Sequence, residues 1–296
     1  MSLVVNHNLM AANAARNLNS AYGNLATSTQ RLSSGLRINS AADDAAGLAI
    51  RELQRADIAT LKQGARNAND AISMIQTADG ALQIIDEKLI RMKELAEQAA
   101  TGTYDSTQRL MIESEYQAMA SEITRIANAT DFNGIHLLNG NLSSEIHDGS
   151  QLTQTGKMKI HFGTGNDSAE DYYYIRIGSA TASALGVGNQ AVGSDGYTVS
   201  TQEAAQKALD AINNAIVSKD KIRAHLGALQ NRLENTISNL NIQAENLQAA
   251  ESRISDVDVA TEMTEFVRNQ ILTQSAVAML SQANSLPKMA MQLIGG

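Results

Sequence analysis

The sequence predicts a mainly α-helical fold: a long antiparallel coiled-coil helical bundle built from both chain ends, with a small central β-hairpin subdomain. Three observations lead there. Apolar residues recur at alternating spacings of three and four through residues 1 to about 140 and about 200 to 296. A single proline, Pro287, stands in 296 residues, so almost nothing interrupts a helix by removing a donor and clashing with the preceding turn. Most of the Gly-rich and Tyr-rich sequence is confined between these ends. Stripes that can be buried only against each other, or against further copies, point to a self-assembling structural protein. They do not suggest an enzyme built around an internal pocket.

Taken in order, the first stretch offers one stripe, Ala14, Leu18, Ala21, Leu25 and Leu32. The next runs through Ile58, Leu61, Ala65, Ala68, Ile72, Ile75, Leu82, Ile85, Leu89, Met92, Ala96 and Ala99, with one slip near Ala78 and Asp79. Its roughly 42 residues make a helix about 63 Å long. Thr101-Gly102-Thr103 interrupts it, and a further helix carries Ile112, Tyr116, Met119, Ile123 and Ile126 to about Ala129. Asp131-Phe-Asn-Gly134 and Asn139-Gly140 are turn signals.

Residues 157–163 and 171–178 read as two strands, with Gly163 to Asn166 in the link between them, and Asp195-Gly196 marks another turn. Helix resumes at Thr201 with a stripe through Leu209, Ile212, Ile216, Ile222, Leu226, Leu229, Leu233, Ile237, Leu240, Ala244 and Leu247. The last segment differs. Val257, Val259, Met263, Phe266, Val267, Ile271, Leu272, Val277, Met279 and Leu280 cover more than one helix face, so the segment should be buried on several sides.

Composition narrows the function classes. The apolar fraction is 43% but only 3% is aromatic, with no Trp, so Ala, Leu, Ile and Met must fill the core. A net charge of −8 without a Lys/Arg cluster argues against a nucleic-acid partner. No Cys is present, which excludes disulfides, thiolate metal sites and cysteine nucleophiles. No apolar run approaches the ~20 residues of a membrane span. The first residues, MSLVVNHNLMAANAARN, lack the basic start, apolar core and A-x-A site of a Sec-type signal.

His7, His136, His147, His161 and His225 are scattered, and no H-E-x-x-H occurs, so no metal site is expected. Gly186-Val-Gly188 is not a dinucleotide fingerprint, so no cofactor is expected either. Asp43-Asp44 could be proposed as paired catalytic carboxylates. Followed by Ala45-Ala46-Gly47, they read better as a helix start or as partners of a neighbouring subunit's basic group. No catalytic residue is assigned.

The run from Gln30 to Ile50, QRLSSGLRINSAADDAAGLAI, resembles the N-terminal signature of bacterial flagellin. So do Asn67-Ala-Asn-Asp-Ala-Ile72, Phe132-Asn-Gly134 and Leu280-Ser-Gln-Ala-Asn284. The resemblance covers both ends of the chain. It implies a homopolymer: a structural subunit of the extracellular flagellar filament, secreted for motility by the flagellar type III export apparatus and assembled beneath a filament cap next to hook-associated proteins. Mapped here, residues 1–45 with 253–296 would form the inner layer of the filament. Residues 46–140 with 200–252 would form the outer bundle, and 141–200 a short surface-exposed β region. Assembly-interface candidates are Arg31, Leu32, Arg37, Asp43, Asp44, Val257, Met263, Phe266, Val267, Ile271 and Leu280.

An export chaperone is expected at the C-terminal segment, over Ala276–Leu293. Flagellins of some bacteria are Toll-like receptor 5 ligands, and the matching pattern here is Arg91, Leu95 and Glu115, with Gln230 and Arg232 on the returning helix. Ile90 and Lys93 depart from that pattern, and Lys cannot reproduce a planar guanidinium contact. A hook–filament junction protein is the rival within the same apparatus; the match through Arg31–Ile50 favours flagellin. An intracellular coiled-coil signalling rod is the rival of another class, and it would need a membrane segment or a binding tip.

Overall fold

The structure, a computed structural model, describes residues 8–144, 156–168, 170–189 and 191–294. Among them the chain forms α1 (Leu9–Ser34), α2 (Ala45–Ala100), α3 (Ser106–Ala129), β1 (Asp131–Phe132), β2 (Ile135–His136), β3 (Met158–His161), β4 (Tyr172–Ile175), α4 (Ala182–Leu185), α5 (Gln202–Ser255) and α6 (Val259–Ile294). These helices and antiparallel hairpins are the architecture the apolar spacing predicts. The chain divides into two compact units, Met1–Ile58 with Glu245–Gly296, and Ala59–Ala244. His7, His147 and residues 145–155 of the expected surface β region lie outside the described residues.

In the first unit α1 runs antiparallel to α6. The Asn8 side chain caps α1 by accepting from the Ala11 N–H at 2.9 Å, and donates to the Ala283 carbonyl at 2.9 Å. Arg31, at the other end of α1, pairs with Glu262 at 3.6 Å. Beyond the C-cap Gly35, whose φ is 73°, Leu36 bridges Asp256 and the Arg37 N–H donates to the Ser255 carbonyl at 2.6 Å. This exchange ties the ends of α1 and α5 together.

Helix α2 begins at Ala45, directly after the Asp43-Asp44 pair that reads as a helix start and well before the first residue of its apolar stripe, Ile58. Its start is set by Asp44, whose carboxylate accepts from the Gly47 N–H at 2.9 Å. A side chain at position 47 would press on the cap: a Cβ there would lie 2.5 Å from Asp44 Oδ2 and 2.8 Å from Ile38 Cδ1, so those side chains would have to shift. Arg51, almost wholly buried, donates to the Ile38 carbonyl at 2.7 Å and so closes the loop onto the helix.

The second unit carries the main core, in which Ile75, Leu82, Ile85, Leu89 and Met92 of α2 pack with Tyr116 and Ile123 of α3 and Ile212, Leu226 and Leu233 of α5. The expected slip in the α2 stripe is a change of residue. Ala78 is fully buried in line between Ile75 and Leu82, which moves Asp79 to the flank of the seam. There Arg223 Nε donates to it at 2.7 Å, and two turns further on Lys219 meets Asp86 at 2.5 Å. Residue numbers rise on α2 as they fall on α5, so the two helices are antiparallel.

Asn133 and Gly134 both have positive φ, 52° and 79°, which turns β1 directly back into β2. Strands β3 and β4 pair Met158 with Ile175 and His161 with Tyr172, shorter than the sequence suggests but in the same places. The hairpin sits against α2 at Gly64, where a Cβ would fall 2.0 Å from the Phe162 carbonyl oxygen. Asn67 holds it from the same helix by donating to the His161 carbonyl at 2.9 Å.

Candidate assembly and recognition surfaces

The face α6 turns to α1 is defined by Glu262, Phe266, Asn269, Thr273, Ala276, Leu280 and Ala283, at spacings of four and three. Asn269, Thr273 and Ala283 are buried, while Phe266 and Leu280 are half-buried. The matching stripe of α1 is Ala14, Leu18, Ala21, Leu25, Ser28 and Leu32, with Ala21 and Ser28 buried. Small and polar side chains let the two backbones approach closely but bury little apolar area. Apart from Phe266 and Leu280, the larger apolar side chains of α6 point elsewhere. Val259, Met263, Val267, Ile271, Leu272, Val277 and Met279 are all exposed, Ile271 to 56% and Val267 to 45%. Asn269 and Thr273 are polar, so an apolar period does not mark them as seam positions. Their heptad spacing from Phe266 is the signal that finds them.

Of the assembly candidates, Met263, Val267 and Ile271 are exposed, whereas Leu32, Val257, Phe266 and Leu280 are partly covered. Arg31 and Arg37 are engaged within the chain, Arg31 with Glu262 and Arg37 by donating from Nη2 to the Ile254 carbonyl at 2.6 Å. Asp43 accepts from the N–H groups of Asn39 and Ser40 and from the Ser40 hydroxyl. Those hydrogen bonds, chiefly from Ser40, hold its carboxyl below the usual carboxylate range. Both aspartates therefore shape the loop that enters α2.

Among the recognition candidates, α2 and α3 bring Arg91 and Glu115 together. Arg91 Nε and Nη2 donate to one Glu115 oxygen at 3.0 and 2.8 Å, and Nη1 donates to Glu94 at 2.9 Å. Both partners are exposed. Leu95, four residues on, is 1% exposed and belongs to the core. Gln230 and Arg232 are not beside them. The Asp79–Arg223 and Asp86–Lys219 pairs set Gln230 level with roughly residues 72–75 of α2, about 25 Å along the helix from Arg91. Arg232 instead lies 3.6 Å over the Tyr173 ring of β4.

Residues 5–143 match the bacterial flagellin N-terminal helical region and residues 209–294 the bacterial flagellin C-terminal helical region. The chain is 42% identical over 293 residues to the flagellar filament 33 kDa core protein of Treponema phagedenis, covering 99% of this chain and 100% of that one. It is 41% identical over 292 residues to a flagellin of Halalkalibacterium halodurans, again over 99% of this chain and 100% of the other. A putative flagellar hook-associated protein from Vibrio parahaemolyticus superposes with a TM-score of 0.54 over 72% of this chain and 100% of its own, at 14% identity. That likeness is one of fold alone. Set beside the paired terminal helices and the uncovered apolar side chains of α6, the full-length matches lead to one conclusion: this chain belongs to the bacterial flagellin family and is a structural subunit of a flagellar filament.

Proposed function

We propose that polymerisation proceeds through the terminal helices, with the exposed side chains of α6 covered by α1 and α6 of other subunits in an inner layer. The observation that carries this is the mismatch on α6: the fully buried positions of its seam toward α1 are the small or polar Asn269, Thr273 and Ala283, while Met263, Val267, Ile271, Leu272, Val277 and Met279 are exposed. A soluble chain gains by hiding such a surface. Met263, Val267 and Ile271 recur every four residues along one side of α6, which suits a further helix as the cover. The second unit then forms the outer bundle, and residues 141–200 face outward.

The same reading makes the chain an export substrate that leaves the cytoplasm as a filament precursor through the flagellar type III apparatus. A chaperone covers Ala276–Leu293 beforehand, and filament cap and hook-associated proteins meet the growing polymer outside. Its work is mechanical, without catalysis. The Arg91–Glu115 pair is the site proposed for Toll-like receptor 5, with Leu95 setting the position of Arg91 from within the core. Val267→Asp and Ile271→Asp test the polymer interface, because each places a charge where a helix must dock. Each should abolish seeded filament growth while leaving the helical circular dichroism of the monomer intact. Normal growth of both would remove α6 from the interface.

A further inference from the structure

A groove of about 620 Å³ runs along one side of the α1–α6 pair. Its wall on α1 is Asn13, Asn17, Ser20 and Asn24, spaced four, three and four, so short polar side chains line it for three turns. Its wall on α6 carries the exposed Leu272 and Met279, and Ala21 and Ala276 lie at its floor. Asn269 reaches the groove from beneath. It is 7% exposed, yet its side-chain amide has no hydrogen-bond partner among the described residues. Only its backbone carbonyl is engaged, by the Thr273 hydroxyl at 2.7 Å. A buried amide without a partner is costly, and an incoming group with one donor and one acceptor removes that cost.

The occupant must bring apolar side chains to one wall and hydrogen-bonding groups to the other. Helix α6 offers that combination on a different face, where Val267 and Ile271 are exposed beside the exposed Gln270 and Gln274. Leu272 stands five residues beyond Val267, about 140° round the helix from it. Strip and groove therefore do not overlap. The outer side of α1 has no such strip. Among its described residues outside the groove, the large exposed apolar side chains are Leu9 and Tyr22, about 20 Å apart along the helix.

We propose that this groove seats α6 of a second copy of the chain. Val267 and Ile271 of the incoming helix pack on Leu272 and Met279, and the glutamines beside them pair with the Asn269 amide. The proposal rests on the reading that α6 is covered by other subunits. It adds which surface receives the helix and what fixes its register. Apolar contact alone allows several registers, whereas a buried asparagine is satisfied in one. Because strip and groove are separate surfaces, the contact is head to tail. A copy that fills one groove leaves its own open for the next, which propagates a filament and does not close a dimer.

The chain has no cysteine, so introduced pairs report the contact. Ser20→Cys is combined in one chain with Gln270→Cys and, in another, with Gln274→Cys, and filaments seeded from wild type are oxidised. At least one of these chains should give a ladder of covalent multimers on denaturing gels, and neither should do so as monomer. Filaments mixed from chains that carry Ser20→Cys alone and chains that carry the matching glutamine substitution alone should stop at dimers. Filaments of both double variants that oxidise without a ladder would overturn the proposal. The critical concentration for seeded growth tests Asn269. Gln270→Leu/Gln274→Leu should raise it about tenfold by leaving Asn269 unpaired, and adding Asn269→Leu should reverse most of that rise. No rise, or a rise that Asn269→Leu does not relieve, would also overturn the proposal, and this result decides alone if the cysteine chains do not assemble. Normal growth of Val267→Asp and Ile271→Asp would remove the α6 interface and this seat with it. Blocked growth of those two variants together with unladdered filaments would remove the seat and leave the interface standing.

Discussion

Arg91 and Leu95 stand one turn apart on α2, yet they answer to different forces. Arg91 is held at the surface by Glu115 and Glu94, while Leu95 fills the core between α2 and its neighbours. Exposed ion pairs contribute little, so Arg91→Ala should leave the unfolding free energy close to that of the wild type. Leu95→Ala should cost about 2–5 kcal/mol by leaving a cavity. Thermal or denaturant unfolding of the two variants separates surface from core, and it must precede any receptor assay on Leu95.

The pair Asp79–Arg223 gives a pH-dependent counterpart. Asp79 has its carboxyl held below the ordinary carboxylate range, chiefly by the Arg223 hydrogen bond. A carboxylate with a depressed folded-state pKa adds stability above its unfolded value of about 3.9 and loses it as pH falls through the folded value. Arg223→Met should therefore lower Tm by about 2–4 °C at pH 7. The gap from wild type should begin to narrow below about pH 4 and close once the pH passes the depressed folded-state value. A gap that did not narrow at all as pH falls from about 4 to about 3 would assign the loss to packing of the arginine stem.

At the scale of elements, two glycines on one helix make opposite predictions. Gly64→Ala forces the hairpin off α2, because the new Cβ meets backbone, and should destabilise by about 1–3 kcal/mol. Gly80 has nothing within 4 Å of an added Cβ, so Gly80→Ala should stabilise by about 0.5–1 kcal/mol through helix propensity. Measured unfolding free energies of both variants decide it, and equal effects would contradict the docking at Gly64.

The long helices were legible because repeated apolar spacing leaves few other folds open, and the two central strands because their alternation is flanked by glycine. What stayed hidden was local or polar. Asp43-Asp44 announces the start of α2, but the Asp44 bond to the Gly47 N–H that fixes it is a local detail with no period to show it. The two-residue strands β1 and β2 are too short to carry a period, although Asn133-Gly134 marks their turn. Helix α4 is visible only as a Thr181 cap and a Gly186 stop. The candidate site divides the same way. The uncovered side chains of α6 follow from their period, whereas the burial of Leu95 depends on which face of α2 meets the core.

For the whole molecule, the consequence is that the ends of a lone chain should be its least stable part. Within the chain α1 and α6 share a seam that buries mostly small and polar groups, while ordering each residue costs about 1–2 kcal/mol. Limited proteolysis should trim monomers to about residues 45–255 and spare filaments. Equal protection of both ends in monomers would argue that the seam suffices alone. The most direct test of the account is a cryo-electron microscopy reconstruction of filaments grown from the purified chain. It should show Met263, Val267 and Ile271 covered by helices of other subunits. Filaments in which those side chains remain open to solvent would contradict the account.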